Sequence, residues 1–382
     1  MRRLILVVSM LAAGAAAQSP DRDIEKALEA LLKKAAPAKD LDDAKRKESA
    51  DAFRADVKAF ADAWAPRAGQ LSTGLWPLGR ALLLAGRPGD AVPHLEAFVK
   101  RRPDSPDVEE ALLSLGSAYL DVLEYEKART LYETFLKERP ESDQATAARY
   151  YLAVAHLEAG RVDEGVAGLD AVAASAPQHP LAADARLKVV QALAEAGRAP
   201  EARTRLEALL KEAPDGPALQ AVKAQLDRLG TVAPALPAGD GWIGGAVDLA
   251  AEKAKGRVVV ACFFADFYES SQAELSLLAD LSRKYADRPV TFVGVTAYYR
   301  RKVKTPEEER ALLKAFLEER KVLFPVAVAP DFATHHAWGV VAVPHTAVVD
   351  RDGRIVHQKI GGSRKEKRSA AALEAALERA LR

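Results

Sequence analysis

The chain carries almost no sulfur: one cysteine, Cys262, and two methionines, Met1 and Met10, among 382 residues. A lone cysteine excludes an intramolecular disulfide and any reaction that needs two thiols of one chain. Aromatic residues are scarce at 6%, so the core must rest largely on aliphatic side chains and the plentiful alanine. Charge of either sign is not in excess, with 55 Lys and Arg against 54 Asp and Glu. That balance gives no electrostatic footprint for nucleic acid or an acidic membrane surface, and no nucleic-acid partner is expected. Long apolar runs are missing beyond the N-terminus, so no transmembrane segment is expected in the mature chain.

What is there begins with "MRRLILVVSMLAAGAAAQS". Arg2 and Arg3 form a positive region, Leu4 to Leu11 an apolar one, and Ala15 to Ala17 a small-residue cleavage site. Residues 1–17 are read as a signal peptide cut near Ala17, and the chain as exported, to a periplasm or to the exterior. No cysteine follows the cut, so no lipid anchor is expected. Residues 18–72 ("DIEKALEALLKK", "ADAFRADVKAFADAWA") read as a helical cap.

An internal repeat follows. Pro103, Pro140, Pro177 and Pro214 stand 37 residues apart. Seventeen positions before them come Gly86, Leu123, Gly160 and Gly197, and twelve before them Ala91, Ala128, Gly165 and Ala202. Large apolar columns keep the same register: Leu78, Leu115, Leu152 and Val189; Leu95, Tyr132, Leu169 and Leu206; Phe98, Phe135, Val172 and Leu209. The pattern predicts helix–turn–helix units. A small residue lets the helices approach, apolar columns fill the joint, glycine turns the chain and proline ends the second helix. One unit cannot bury its apolar face, so the units stack as a solenoid over residues 73–230, closed by the helix "PALQAVKAQLDRLG".

Over about residues 73–214 this pattern resembles the tetratricopeptide repeat, in the lengthened form of bacterial cell-envelope members; "LGSAYLDVLEYEKARTLYETFLKERP" carries its landmarks. The resemblance implies a protein or peptide partner. Trp76, Leu113, Tyr150 and Leu187 occupy positions that usually face the groove of such solenoids, with Leu84, Asp121, Glu158 and Glu195 beside them. Two readings stay open: an apolar stripe for an extended or helical segment with basic flanks, or packing between helices.

"TVAPALPAGDG", residues 231–241, reads as a linker. Beyond it, strands at Val258–Ala265 and Val290–Ala297 alternate with helices. Thr305, Pro306 and Glu308 form a helix start, and a hairpin turns at Asp352–Gly353 before a final helix. One mixed sheet covered by helices is expected.

Three stretches of residues 242–382 resemble the thioredoxin fold in its TlpA-like (redoxin) branch: "VVVACFFADFYESSQAE", "FPVAVAPDFATHHAWGV" and "VAVPHTAVVDRDGRIV". The fold class is thus an all-α tetratricopeptide solenoid followed by an α/β thioredoxin-like domain. The resemblance implies a cis peptide bond at Val343–Pro344. It places the nucleophilic cysteine of that family on Tyr268 and the resolving one on Ser271, with Glu269 and Ser270 between them. Neither a phenol nor a serine hydroxyl replaces a thiolate in disulfide exchange. The favoured reading is an exported interaction scaffold, without cofactor or metal, that binds extended segments across Tyr268–Ser271 and Val343, Pro344 and His345.

The alternative is a thiol–disulfide oxidoreductase working through Cys262 or a partner thiol, although a mid-strand cysteine reads as inert packing. A hydrolase pairing Ser271 with His345 competes with a plainer assignment, a capping box of Ser271 and Glu274, which is preferred. His335, His336, His345 and His357 offer no spacing that gathers three ligands.

Overall fold

The computed structural model describes residues 19–34, 43–213, 216–299, 305–360 and 366–382. The expected signal peptide, Pro214 and most of the basic stretches 298–304 and 363–368 lie outside them. The chain divides into two compact units, residues 1–182 and 183–382.

In the first unit, α1 (Pro20–Lys34) and α2 (Asp43–Trp64) precede three helix pairs. These are α3 (Leu75–Leu84) with α4 (Pro88–Arg101), α5 (Val108–Asp121) with α6 (Tyr125–Glu138), and α7 (Ala145–Glu158) with α8 (Val162–Ser175). Ile24 and Leu28 of α1 and Val57 and Trp64 of α2 join the same core as Leu78 and Leu95. Asp21 ties the cap to α3, its Oδ1 accepting from the backbone N–H of Ser72 (2.7 Å) and Gly74 (2.8 Å).

The repeat columns do the work their residue types allow. A Cβ on Gly79 would come within 2.5 Å of Leu95, and one on Gly116 within 2.3 Å of Tyr132, so a small residue in each first helix seats the large one opposite. The turns are alike: φ is +72° at Gly86, +67° at Leu123 and +80° at Gly160. After each, a backbone N–H reaches five residues back, Arg87 to Leu82, Glu124 to Tyr119 and Arg161 to His156, at 2.8–2.9 Å, satisfying the end carbonyls of the preceding helix. Leu123 holds the glycine conformation at a cost of about 1–2 kcal/mol.

The groove row is only partly available. Trp76 is 7% exposed with its ring 6.3 Å from Phe98, and Tyr150 is 5% exposed and edge-on to Tyr151 at 5.2 Å. Leu113 and Leu187 are half-buried. Of the two open readings, burial favours helix packing at the two aromatic positions: Trp76 reaches Phe98 on the next helix, and Tyr150 lies against Tyr151 of its own helix.

The second unit holds the fourth repeat together with the sheet. Most of α9 (Pro180–Glu195), α10 (Ala199–Glu212) and α11 (Pro217–Arg228) precede a sheet of order β1-β4-β3-β2-β5-β6. Its strands are β1 (Trp242–Ile243), β2 (Val258–Phe263), β3 (Val290–Ala297), β4 (Val326–Ala329), β5 (His345–Val349) and β6 (Ile355–Ile360). β2, β3 and β4 run parallel, while β1, β5 and β6 pair antiparallel to their neighbours. The helices between are α12 (Leu249–Ala254), α13 (Glu269–Lys284), α14 (Pro306–Glu319), α15 (Ala333–Ala337) and α16 (Glu366–Ala380). As expected, Thr305 caps α14, its Oγ1 accepting from Glu308 N at 3.2 Å.

Successive residues of a strand face opposite sides. Val258, Val260 and Cys262 therefore share one face, packed with Leu275 and Leu278 of α13, Leu313 and Leu317 of α14, and Leu373 and Leu377 of α16. Phe263 lies on the other, with Trp338 and α15.

Residues 231–241 are composed like a spacer yet are pinned to the sheet. Gly230 N donates to Ile355 O (2.7 Å), Ile355 N to Thr231 O (2.9 Å) and Ala233 N to Gly353 O (2.9 Å). Trp338 Nε1 donates to Ala235 O at 3.4 Å. The closing helix is seated as well: Gln225 Nε2 donates to Gln358 O (2.7 Å) and Arg228 Nη1 to Ala337 O (2.8 Å).

Candidate functional site

The turn after β2 and the proline loop before β5 meet beyond the ends of these two interior strands, at one edge of the domain, because Phe263 and His345 are register partners. The Val343–Pro344 bond is cis, as the resemblance implied. Tyr268 is the N-cap of α13 and is 48% exposed, and Glu269 and Ser270 are exposed in the first turn.

Ser271 behaves differently. Its side chain is fully buried, and Oγ accepts from the Ala265 N–H at 3.3 Å, folding the turn back on the strand. The expected capping box is not formed. α13 starts at Glu269, so Ser271 is the third helical residue, and Glu274 points into the core. There its Oε1 accepts from Thr346 Oγ1 (2.8 Å) and its Oε2 pairs with Lys359 Nζ (2.6 Å). A buried carboxylate so held has both oxygens satisfied.

Cys262 shares this face and is fully buried. Burial, with the Glu274 carboxylate adding to it, raises its thiol far above the ordinary range, so thiolate is suppressed.

His345 is 1% exposed and His335 3%, and both rings pack on Phe263, with centroids 6.1 and 5.2 Å away. No described group hydrogen-bonds either ring nitrogen of these histidines, nor the side-chain amide of Gln358. Burial pushes His345 down to about 4, helped by Arg228 and then His335; His335 falls to about 4 through burial and then His336. Neither His345 nitrogen reaches Ser271 Oγ, so the serine–histidine pair that a hydrolase needs is not assembled. His336 is exposed while its neighbour His335 is buried, and among the described residues no group of three His, Cys, Asp or Glu could hold a metal ion.

Sequence reasoning missed an aromatic row along this edge. Phe267, Tyr299 and Phe332 each stand just past the end of a parallel strand, β2, β3 and β4 in turn. Their rings touch in series, Phe267 to Tyr299 at 5.2 Å and Tyr299 to Phe332 at 5.5 Å, and Tyr268 lies 4.5 Å from Phe267. Phe332 is 41% and Val341 72% exposed. No described residue hydrogen-bonds the backbone N–H of Val341, Ala342 or Val343. The signal was an aromatic after each of three apolar runs, readable only once those runs are known to be parallel.

Comparison with known proteins places both parts. Residues 77–122, 113–180 and 178–226 match tetratricopeptide repeat models, and residues 232–377 match the Redoxin model. The chain is a tetratricopeptide-repeat protein with a Redoxin domain. Over 112 residues it is 26% identical to thiol-disulfide oxidoreductase ResA of Bacillus anthracis, a stretch covering 29% of this chain and 60% of that protein. The ResA of Bacillus cereus strain ATCC 10987 is 23% identical over the same extent. Among solved structures, a thiol:disulfide interchange protein of Chlorobium tepidum is 20% identical, covering 38% of this chain and 99% of its own, with a TM-score of 0.29. TPR-like repeats from Podospora anserina are 18% identical, covering 55% and 98%, with a TM-score of 0.38. The Redoxin domain thus carries Tyr268, Ser271 and the buried Cys262 at and behind its helix-start turn. Among the described residues no helix is long and apolar enough to cross a membrane.

Proposed function

We propose that the protein is an exported interaction scaffold whose Redoxin domain has no thiol chemistry and binds an extended polypeptide segment at the edge formed by Tyr268 and the Val343–His345 loop. One observation carries the redox half: the sole cysteine is fully buried in mid-strand, in register with Gly294 and Thr346, while the turn offers a phenol and a buried hydroxyl. A thiolate at Cys262 would have to form without water and beside a carboxylate, and no second thiol stands ready to resolve a mixed disulfide.

The binding half rests on backbone N–H groups at Val341–Val343 that have no hydrogen-bond partner among the described residues, beside the half-exposed Tyr268 and Phe332. That is the equipment for adding a strand and seating its side chains. The tetratricopeptide repeats supply a second protein-binding element, in which Leu113 is a half-buried apolar position of the first unit and Leu187 one of the second. Export rests on the signal-like residues 1–17.

Insulin reduction with dithiothreitol is the direct test. The purified chain should give the uncatalysed rate, and Cys262→Ser should match it. Catalysis that disappears in Cys262→Ser would establish the oxidoreductase reading, which the name of the ResA relatives favours. For binding, Tyr268→Ala with Phe332→Ala should weaken capture of an unfolded, cysteine-free polypeptide by about tenfold. Unchanged capture would remove this edge from the proposal.

A further inference from the structure

A second candidate site lies away from this edge, inside the unit that joins the fourth repeat to the sheet. A cleft of about 650 Å³ opens between the start of α10, the β5–β6 turn and the last turn of α16. That is the size of a small-molecule site. Four arginines, Arg203, Arg351, Arg379 and Arg382, and two aspartates, Asp350 and Asp352, are among the residues that line it.

Counting side chains alone, the lining carries two positive charges more than negative ones. Asp350 is committed to the turn, its Oδ1 accepting from the N–H of Asp352 (2.9 Å) and of Arg354 (2.8 Å). No carboxylate lies within ion-pair distance of any of the four arginines among the described residues. Arg203 gives Nη2 to Leu226 O and Leu229 O, and Arg379 gives Nη2 to Glu195 O, so each keeps further N–H donors. Burial, and then the charge of Arg382, lower the pKa of Arg379, which means its cation is held without a compensating anion.

Two backbone features point the same way. Gly197 has φ +81°, and a Cβ there would stand 3.3 Å from Arg379 Nε, so the missing side chain lets the guanidinium lie over the turn. Ala199 begins the 14-residue helix α10, whose N-cap Arg198 supplies no side-chain bond to the first-turn N–H groups. Pro200 in this turn has no N–H and Glu201 is held by Arg198, so the helix start brings the cleft the N–H of Ala199.

We infer that this cleft binds a small dianion, with Arg379 and Arg382 as the principal anchors and the start of α10 as a third contact. Fork-shaped guanidinium groups fit phosphate and carboxylate oxygens alike, and although the Glu378 carboxylate also feels Arg382, the arginines on the walls outnumber the carboxylates there. The site is independent of the Tyr268 edge and stands whatever becomes of that reading.

Calorimetric titration of the full chain with pyrophosphate, and separately with citrate, at fixed ionic strength tests it. Saturable one-to-one binding of either supports the site, and the better ligand tells phosphate from carboxylate chemistry. Arg379→Gln and Arg382→Gln should each weaken binding about tenfold. Because Arg379 also holds Glu195 O, Arg382→Gln carries the test if Arg379→Gln does not fold. No heat with either anion, or affinity unchanged in Arg382→Gln, would overturn the inference.

Discussion

The two faces of the sheet treat buried polar groups in opposite ways. On one, Glu274, Thr346 and Lys359 complete one another with bonds of 2.8 and 2.6 Å behind Cys262. On the other, the side chains of His335, His345 and Gln358 are as deeply buried yet have no described hydrogen-bond partner. The first arrangement resists change because removing one member strands another. The second costs stability wherever a group charges or lacks a bond. The two faces should therefore answer substitution and pH differently.

The largest effect is expected on the paired face. Glu274→Ala leaves Lys359 without its carboxylate and should cost about 3–5 kcal/mol in urea unfolding, whereas Glu274→Leu with Lys359→Met should recover most of it. Equal losses in the two variants would show that packing, and not the pair, holds this face.

Acid should act next, through the unpaired face. Burial holds His345 and His335 at about 4 in the folded chain, against about 6.5 when unfolded. Between those values the unfolded chain binds more protons. Stability is therefore whole above pH 6.5 and falls as pH drops toward 4. His345→Phe should remove about 3 kcal/mol of that fall, read as a flatter profile of unfolding free energy against pH. His357, on the paired face, is also held at about 4, by burial and then by Arg379 and Lys359, so some acid sensitivity should persist. Smaller still, Gln358→Leu should stabilise by about 1 kcal/mol, because it swaps an unpartnered amide for apolar packing. A loss there would reveal a bond to that amide and shrink the contrast between the faces.

The repeat was readable in the sequence because a 37-residue period repeats the same steric demands, and even Leu123 obeys its column's φ. Leu123→Gly should gain up to about 1 kcal/mol in thermal unfolding. The cis Val343–Pro344 loop and the turn at Tyr268 were readable through local motifs. Other features were not. Ser-x-x-Glu spacing marks a helix start only if the helix begins at the serine, and α13 begins two residues earlier, which sends Ser271 and Glu274 inward. For Trp76, Leu113, Tyr150 and Leu187 the sequence left groove and helix packing open, because position in the repeat does not say whether a long side chain such as Trp76 reaches Phe98. Residues 231–241 read as a linker because their anchorage is made largely by main-chain bonds, which composition does not encode.

That anchorage decides where the polypeptide can be cut. A fragment beginning at Trp242 would leave the N–H of Ile355 and the carbonyls of Gly353 and Ile355 without their partners, and would uncover Trp338. Such an edge is a template for pairing between molecules, so the excised sheet should self-associate, whereas a fragment beginning before α9 should stay monodisperse.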